Sequence, residues 1–508
     1  MAGWDDGYVT DVAYTTKFNR EMTPAWLAAA CTLLGQRPPD LMQPFRLADL
    51  GCGNGLTDLV IAAAHPEAEI WGFDFNPAHI EWARNLAAAA GLSNVHFIEA
   101  SFAELATGAA AALPSFDFMV SHGVLSWITQ ENRRFLIDLL RRHLRPGGLV
   151  YMSYNVSIGW PGMGPVRLLM QMLAETNPRR SDLAAPSILD FIDKMHAAKA
   201  RFFAIYPGFT DRLADMRRQD PRYIAHEFLN RNWTPLMFAE SAADMEDAKC
   251  QYIGSATLTE NFDAISVPPD MHPIVSAAAS VVLRETLRDF ATAQDFRRDL
   301  YRRGAAPLSP IEHRAVLDAL SISALVPEIP DPLIDTQSTT TAPEFYRPLA
   351  EMLSQGTVPL GRVRDEAHDS QWPVQQLMEC VAVLMADNLV HPILPSGSTP
   401  QAKAAVQRLN QAIARANALG AELPWIAAPL TGSAMQADIL ETIMLGAVLS
   451  GCPTQLEALT ERAMLSLSSS GRTLEHAGEP KEARAIVARL AQNFCAERVP
   501  VFERLGIL

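Results

Sequence analysis

A glycine-rich loop directly after a short apolar segment constrains the fold of this chain more than any other feature. The apolar segment is residues 47–50, and the loop reads Gly51-Cys52-Gly53-Asn54-Gly55. Residues 56–64 then have the composition of a buried helix. Glycines permit positive φ angles in a tight turn and let backbone N–H groups approach a ligand closely. The pattern predicts the strand, turn and helix that open a nucleotide-binding α/β domain.

The spacing of these glycines, and an acid ahead of them, indicate which class of ligand the loop binds. The loop does not match the dinucleotide pattern G-x-G-x-x-G, and no Lys-Ser/Thr pair follows its last glycine, as a P-loop requires. Asp49 precedes the first glycine by two residues, and D-x-G-x-G-x-G resembles motif I of class I S-adenosylmethionine (SAM) methyltransferases. The resemblance implies that Asp49 lies near the methionine amino group and that the backbone of Gly51, Cys52 and Gly53 packs on the cofactor. The alternative is a tight turn beside an unrelated buried strand.

A second acid stands at the end of the next apolar segment. Residues 69–73 read as a strand that ends at Asp74. An acid at this point in a doubly wound fold suits the two hydroxyls of a ribose, and Phe75 beside it is a further candidate for cofactor contact. Asn76 has the position of a helix cap, with Pro77 at the first helical position. The alternative role for Asp74 is to cap that helix.

A third segment, residues 94–102, reads as a strand and its loop. Many methyltransferases carry an aspartate in this loop that bonds the adenine amino group. Ser101 occupies that place here, with Phe102 beside it. A serine hydroxyl keeps the ability to accept this hydrogen bond but brings no charge.

Residues around the ends of the fourth and fifth strands are the candidates for catalysis. By resemblance, the carboxyl end of strand four (residues 116–121) faces the transferable methyl group, and His122 follows it. His122 is a candidate to orient cofactor or substrate, or to act as a base; the alternative is a turn histidine bonded to backbone. Tyr154 and Asn155 follow strand five and suit an amine or hydroxyl nucleophile, unless this segment is only a turn into the next domain. Tyr14 lies in a leading segment that either covers the cofactor or pins a helix.

Three longer segments sharpen the resemblance. They are H-G-V-L-S-W-I after strand four, Y-N-V-S-I-G-W after strand five, and Y-I-A-H-E-F-L-N at residues 223–230. They look like bacterial class I methyltransferases with a methyltransferase regulatory domain, a family that includes the rickettsial lysine methyltransferases of outer-membrane proteins. No Asn/Asp-Pro-Pro-Tyr/Phe motif follows strand four, which counts against adenine or glutamine as the acceptor. His226 and Glu227 form an adjacent acid–base pair, for which pinning a helix is the favoured explanation.

The resemblance implies an α/β Rossmann-like methyltransferase domain followed by mostly α-helical middle and C-terminal domains. We predict an N-terminal lid and helix (1–45), a SAM-binding domain (46–164), a helical middle domain (165–325), a winged-helix-like module (345–395) and a C-terminal helical domain (400–508). A segment rich in Pro, Ser and Thr, residues 326–341, reads as a linker before the last two units. In the module we expect helices followed by a pair of short strands within residues 388–394. The middle domain shows helical periodicity over residues 239–252 and 274–303, among others.

The composition of the chain excludes some classes of binding partner. The net charge is −15 and only 19% of residues are charged, whereas a protein that grips nucleic acid usually shows a basic surface. The six cysteines are scattered without a C-x-x-C, which predicts neither a metal site nor a disulfide framework. No apolar run approaches a membrane span, and the N-terminus lacks signal-peptide features. We expect a cytoplasmic protein without nucleic-acid binding, and a homodimer is an open alternative.

The combined pattern predicts a SAM-dependent methyltransferase that releases S-adenosylhomocysteine (AdoHcy). The resemblance favours N-methylation of protein lysines, and the acceptor is a protein, a peptide or a small molecule. The alternatives are a small-molecule or peptide O- or N-methyltransferase and a SAM-binding regulatory protein. Asp49, Asp74 and the three loop glycines are all present, which favours catalysis over a degenerate cofactor site.

Overall fold

A seven-stranded sheet forms the centre of the protein, whose computed structural model describes residues 7–12, 14–108, 113–176, 178–304, 307–330, 343–366, 374–470 and 480–508. Its strands are β1 (Arg46–Leu50), β2 (Glu69–Asp74), β3 (Val95–Glu99), β4 (Phe116–Ser121), β5 (Leu144–Asn155), β6 (Cys250–Ser255) and β7 (Phe296–Arg303). They lie in the order β3-β2-β1-β4-β5-β7-β6. Strands β1 to β5 are parallel, and β7 is antiparallel to both neighbours. The predicted Rossmann-like α/β fold is confirmed.

Helices cover both faces of this sheet. They are α1 (Pro24–Leu33), α2 (Leu56–Ala64), α3 (Pro77–Ala90), α4 (Phe102–Thr107) and α5 (Gln130–His143). The predicted cap of α3 is confirmed, because the Asn76 side chain accepts a hydrogen bond from the backbone of Ala78, and Gly91 ends the helix at a φ of 62°. Every residue of α2 is buried. The helix that follows the glycine-rich loop therefore lies inside the protein.

A helical insertion leaves the sheet after β5 and returns before β6. Its helices are α6 (Met163–Thr176), α7 (Ser181–Ala197), α8 (Arg201–Ile205), α9 (Phe209–Arg218) and α10 (Pro221–Phe228). They enclose a hydrophobic core of their own that includes Ile188, Leu213 and Ile224. At the base of the insertion, the backbone N–H of Leu236 donates to the carbonyl of Asn155 at 2.8 Å. The two ends of the insertion are thus joined by backbone hydrogen bonds.

The predicted helices over residues 239–252 and 274–303 are too long. The structure has α11 (Phe238–Asp247) followed by β6, and later α12 (Asp263–Ser266), α13 (His272–Ser276) and α14 (Val281–Thr292) followed by β7. Strand β7 contains the charged residues Arg297, Asp299 and Arg302, all of which are buried. These charges read as the polar face of a helix in the sequence, whereas in the fold Arg297 and Asp299 pair inside the protein and Arg302 bonds to the Arg37 carbonyl.

A second, three-stranded sheet lies beyond β7. Its region contains α15 (Pro310–Ala319), β8 (Ser321–Ala324), α16 (Pro343–Ser354), β9 (Val358–Pro359), α17 (Leu360–Glu366), α18 (Val374–Ala386) and β10 (Val390–Pro392). The strand order is β10-β8-β9. The strand pair predicted within residues 388–394 is a single strand, β10, whose partner is the distant β8. Most of the predicted linker, residues 331–341, lies outside the described residues.

The C-terminal region is built from helices and one small hairpin. Its elements are α19 (Pro400–Ala418), β11 (Trp425–Ala428), β12 (Ser433–Gln436), α20 (Ile439–Leu449), α21 (Leu456–Ser470), α22 (Pro480–Asn493) and α23 (Val499–Arg504). Helix α19 packs directly on α2 and α3, and Val406 and Leu409 share a hydrophobic core with Leu59 and Val60. Within the described ranges, no helix is both long and apolar enough to cross a membrane.

Candidate active site

The glycine-rich loop joins β1 to α2 in a geometry that its residue types require. Gly51, Gly53 and Gly55 have φ angles of 91°, 55° and 66°, a region that residues with a Cβ rarely adopt. A Cβ at Gly51 would lie 2.5 Å from Val124, and one at Gly55 would lie 2.3 Å from Phe97. A Cβ at Gly53 would meet nothing within 4 Å. Two glycines therefore allow close packing, while the third faces open space on the ligand side of the loop.

Asp49, in β1 just before the loop, is buried with an unsatisfied oxygen. Its side chain is 3% exposed, and its Oδ1 has no hydrogen-bond partner among the described residues. Burial, and then the charges of Asp58 and Asp74, raise the pKa of Asp49 well above its ordinary value. An unpartnered buried carboxyl group is costly unless a donor or a cation reaches it. This site fits a ligand with an ammonium group, such as the methionine part of SAM.

Asp58 is a second buried acid beneath the loop, and the sequence interpretation missed it. It lies in α2, is fully buried, and neither carboxyl oxygen has a partner among the described residues. Burial raises its pKa to about 8. The signal was present in the sequence, because Asp58 is the single charged residue in the otherwise apolar or hydroxylated segment of residues 56–64.

Asp74 lies at the carboxyl end of β2, directly beside the loop. Its Oδ2 accepts a hydrogen bond from the Gly53 N–H at 2.9 Å, and its Oδ1 accepts one from the Asn76 N–H at 2.9 Å. His79 Nδ1 lies 3.2 Å from the same Oδ1. Asp74 therefore supports the cap residue Asn76, while Asn76 itself caps α3. A carboxylate has about four acceptor positions, so the group retains capacity for ribose hydroxyls.

The remaining predicted cofactor contacts surround this end of the sheet. The ring of Phe75 meets the ring of Tyr8 edge-on at 5.8 Å. The Ser101 hydroxyl lies 2.8 Å from Glu104 Oε2 and accepts a hydrogen bond from the Glu104 N–H, forming the capping box of α4. Phe102 is the first residue of that helix and packs at the edge of the core. Ser101 thus already has a structural partner, and its contact with adenine stays a prediction.

His122 follows β4 and is held by the adjacent strand. Its Nδ1 lies 2.8 Å from the Tyr151 hydroxyl, and the Gly123 N–H donates to the Ser153 hydroxyl at 2.8 Å. Burial, followed by the charges of Arg298 and Lys17, lowers the pKa of His122 to about 3. The imidazole is therefore neutral near pH 7. Such a group can orient a ligand by hydrogen bonding, but it is a poor acceptor for a proton.

The two predicted residues at the end of β5 differ in their surroundings. Tyr154 is fully buried, and its hydroxyl donates to Asp299 Oδ2 at 2.5 Å. The backbone N–H of Asn155 donates to the Ser126 hydroxyl at 2.9 Å, while its side-chain Nδ2 is buried and has no partner among the described residues. Tyr154 belongs to the interior of the sheet, and its role at an acceptor site stays a prediction. Asn155 keeps a free donor.

The N-terminal segment, described over residues 7–12 and 14–18, lies between the glycine-rich loop and the insertion. On one side the Asn54 side chain donates to the Thr16 hydroxyl at 2.7 Å. On the other side Asn230 Oδ1 accepts from the Val9 N–H at 2.6 Å, and His226 Nε2 lies 2.9 Å from the Val12 carbonyl oxygen. The segment bridges the two parts, and His226 holds it in place; its role as a lid stays a prediction.

Four side chains meet where this segment crosses α10. The Tyr14 hydroxyl donates to Glu227 Oε1 at 3.1 Å. The amine nitrogen of Lys17 lies 4.4 Å from the ring centre of Tyr223 and 5.9 Å from that of Tyr14. Burial raises the pKa of Glu227. We call Tyr14, Tyr223 and Glu227 the amine pocket, because aromatic faces with a carboxylate attract cations.

Comparison with known protein families decides the class of the chain. Residues 47–148, which contain the loop and both acids, match the family described as "Methyltransferase domain". Residues 220–303, which contain α10, match the "Predicted methyltransferase regulatory domain". The chain belongs to the class I SAM-dependent methyltransferases. Its cofactor is SAM and its product AdoHcy, and the methyltransferase carries the regulatory domain that its motifs predicted.

Relatives of this methyltransferase span its whole length. An uncharacterized protein of Synechocystis sp. is 31% identical over 99% of both chains. A trans-aconitate 2-methyltransferase of Methylobacterium radiotolerans is 28% identical over 41% of this chain and 69% of its own. The solved structure of PKMT2 from Rickettsia typhi in complex with AdoHcy is 19% identical, with a TM-score of 0.68 over 97% of this chain and 99% of that one. The fold therefore extends over the C-terminal region as well.

Proposed function

We propose that this methyltransferase N-methylates lysine side chains of proteins. The observation that carries the proposal is the amine pocket, in which a lysine nitrogen already lies over two tyrosine rings beside a carboxylate. A substrate lysine that displaced Lys17 would find the same attraction between its cation and the rings. The motif resemblance to rickettsial lysine methyltransferases and the fold likeness to PKMT2 agree with this choice of acceptor.

Residues around the glycine-rich loop would hold the cofactor. The buried Asp49 carboxylate would receive the methionine ammonium group, and Asp74 the ribose hydroxyls, with the backbone of Gly51–Gly55 against the ligand. SAM supplies a methyl group that is activated by its positive sulfonium. The buried Asp49 site and the open face of Gly53 support this placement.

The protein's own residues would then position the acceptor and remove its proton. A lysine amine is protonated near pH 7 and must lose a proton before it can attack. Glu227 is suited to receive that proton, because burial raises its pKa and Tyr14 holds it in place. His122 is neutral and fixed by Tyr151, so it would orient the acceptor, as would the free side-chain donor of Asn155.

A labelling experiment tests the proposal. Purified enzyme and deuteromethyl-SAM are incubated with bacterial lysate proteins, and the labelled residues are located by mass spectrometry. We expect label on lysine side chains, and Glu227→Gln should lower its rate by about 100-fold or more. Glu175→Gln, an exposed acid in the same insertion, should match the wild type. Label confined to a small molecule or to a carboxylate would overturn lysine as the acceptor. A cytoplasmic location and a homodimer stay predictions.

A further inference from the structure

The amine pocket is occupied by a residue of the chain itself. Lys17 belongs to the N-terminal segment, and its amine nitrogen lies over the rings of Tyr14 and Tyr223. The residue is exposed at the surface, yet partial burial of its amine lowers its pKa, and only the charge of Glu227 opposes that shift. Lys17 is therefore placed as a substrate lysine would be. Its lowered pKa also reduces the free energy needed to remove its proton.

The residues on both sides of Lys17 bond to the cofactor loop and to the first turn of α2. Thr16 accepts a hydrogen bond from the side chain of Asn54, within the loop. The Asn19 N–H donates at 3.1 Å to the hydroxyl of Thr57, in the first turn of α2. Between them, Phe18 is buried against α2. These contacts hold the segment that carries Lys17 against the loop and α2.

The charge of Lys17 also reaches the residue at the end of β4. It is one of two cations that lower the pKa of His122, the other being Arg298. Since His122 follows β4, whose carboxyl end is next to β1 and the loop, the Lys17 charge lies within electrostatic range of the cofactor end of the sheet.

We propose that Lys17 is a methyl acceptor of this enzyme in its own chain. The proposal rests on the proposed function, because it uses the same amine pocket. The Lys17 ammonium gives one proton to Glu227, and its nitrogen lone pair then forms a bond to the methyl carbon. The bond between that carbon and sulfur breaks at the same time, and its electron pair stays on sulfur. The products are N-methylated Lys17 and AdoHcy, and the Glu227 proton passes to solvent.

The position of the lysine can be checked without any cofactor. In protein that carries ¹³C-labelled lysine, the ε-methylene signal of Lys17 is identified by its loss in Lys17→Arg. Ring currents from Tyr223 should shift this signal upfield, and Tyr223→Leu should return it to the position of exposed lysines such as Lys194. An unshifted signal in the wild-type protein would contradict the contact on which the proposal rests.

Mass spectrometry then tests the transfer itself. We expect deuteromethyl label on Lys17 after incubation with deuteromethyl-SAM alone, at a rate that does not change when the enzyme is diluted. Label should be lost in Lys17→Arg and slowed in Tyr223→Leu, while Lys194 stays unlabelled. An unlabelled methyl group on Lys17 of protein as purified from cells, absent from Asp74→Ala, supports the proposal equally. Calorimetry with AdoHcy shows whether each variant keeps its cofactor site.

The outcomes separate this inference from the proposed function. Label on lysate lysines with none on Lys17 would overturn self-methylation and leave the proposed function standing. Label on Lys17 that slows on dilution would show transfer between molecules and overturn acceptance within one chain. No lysine label in either experiment, with AdoHcy still bound, would overturn both.

Discussion

At the residue scale, the buried Asp58 carboxyl should make the stability of the cofactor-free protein depend on pH. Its pKa is about 8 in the folded chain, against an ordinary value of 3.8. Below pH 4 the group is protonated whether the chain is folded or not. As the pH rises towards 8, only the unfolded chain ionises fully, so the free energy of unfolding falls.

Asp58→Asn should weaken this dependence, since the other buried acids of the site, such as Asp49, retain theirs. We expect the variant to match the wild type near pH 4 and to be more stable at pH 8, in chemical unfolding without cofactor. Asp270→Asn, at an exposed position, serves as the control and should leave the wild-type pH profile unchanged. If the free energy of unfolding of the wild type did not change between these pH values, the burial of the Asp58 carboxyl would be contradicted.

Asp74 gives a second prediction at this scale. Asp74→Ala should weaken AdoHcy binding by about 1–3 kcal/mol, because ribose hydroxyls would lose their acceptor and the Gly53 N–H its partner. Isothermal titration calorimetry measures the affinity directly. Glu81→Ala, which removes an exposed carboxylate of α3, should bind as the wild type does. Equal affinity for Asp74→Ala would refute the ribose assignment.

Residues of the site differed in how far the sequence could reveal them. The loop glycines and Asp49 lie within seven consecutive positions, so local pattern sufficed to predict them. Glu227 lies more than 200 positions from its partner Tyr14, and only the path of the insertion brings the two together. The place of Tyr154 at the end of a strand makes it a candidate for catalysis, but the sequence does not show that its hydroxyl bonds to Asp299.

At the element scale, the antiparallel strand β7 depends on one buried arginine. Arg297 bonds to Asp299 at 2.8 Å and Asp289 at 2.6 Å, and to Glu285 of α14 at 3.0 Å. Removing one partner from a buried ionic network leaves charges without compensation. Arg297→Met should therefore lower the free energy of unfolding by about 3–5 kcal/mol.

Chemical denaturation of the cofactor-free protein measures this change. The control is Arg46→Met, since Arg46 pairs with Glu69 where both side chains are nearly half exposed, and surface pairs contribute about 0–1 kcal/mol. A similar decrease in the free energy of unfolding of both variants would contradict the buried ion pairs of Arg297.

The same network explains why the sequence did not predict β6 and β7. The alternation of polar and apolar residues that marks a half-buried strand is absent from residues 296–303, because both charged and apolar residues there are buried. Strands β1 to β5, by contrast, are short apolar segments that end at turn or cap residues. Their order along the chain and the helices between them were enough to predict a doubly wound sheet.

At the scale of the whole molecule, the C-terminal region packs against the cofactor domain and contributes to its stability. Leu409 of α19 is fully buried in the core that also contains Leu59 of α2. Leu409→Ala should cost about 2–5 kcal/mol of stability, and the loss should appear in the same single transition that unfolds the cofactor site. Leu419→Ala, at the exposed end of the same helix with 88% of the side chain accessible, should change little.

Two readouts test this coupling. Thermal unfolding is followed by circular dichroism for the whole chain, and AdoHcy is added to see which transition it shifts. Separate transitions, with only one moved by AdoHcy, would show that the C-terminal region folds independently. The sequence favoured that independence because of the segment at residues 326–341, and it held no sign that α19 covers α2.

The joined base of the helical insertion has a consequence for how such enzymes diversify. Residues 157–235 leave and re-enter the sheet at two neighbouring points, and backbone hydrogen bonds between Asn155, Ser157 and Leu236 close the gap. Backbone bonds of this kind do not depend on side-chain identity. A related gene could therefore exchange this whole stretch by recombination and acquire a different acceptor while the donor site stays intact. Laboratory chimaeras cut at the same two points would be the natural units for redirecting the enzyme to new targets.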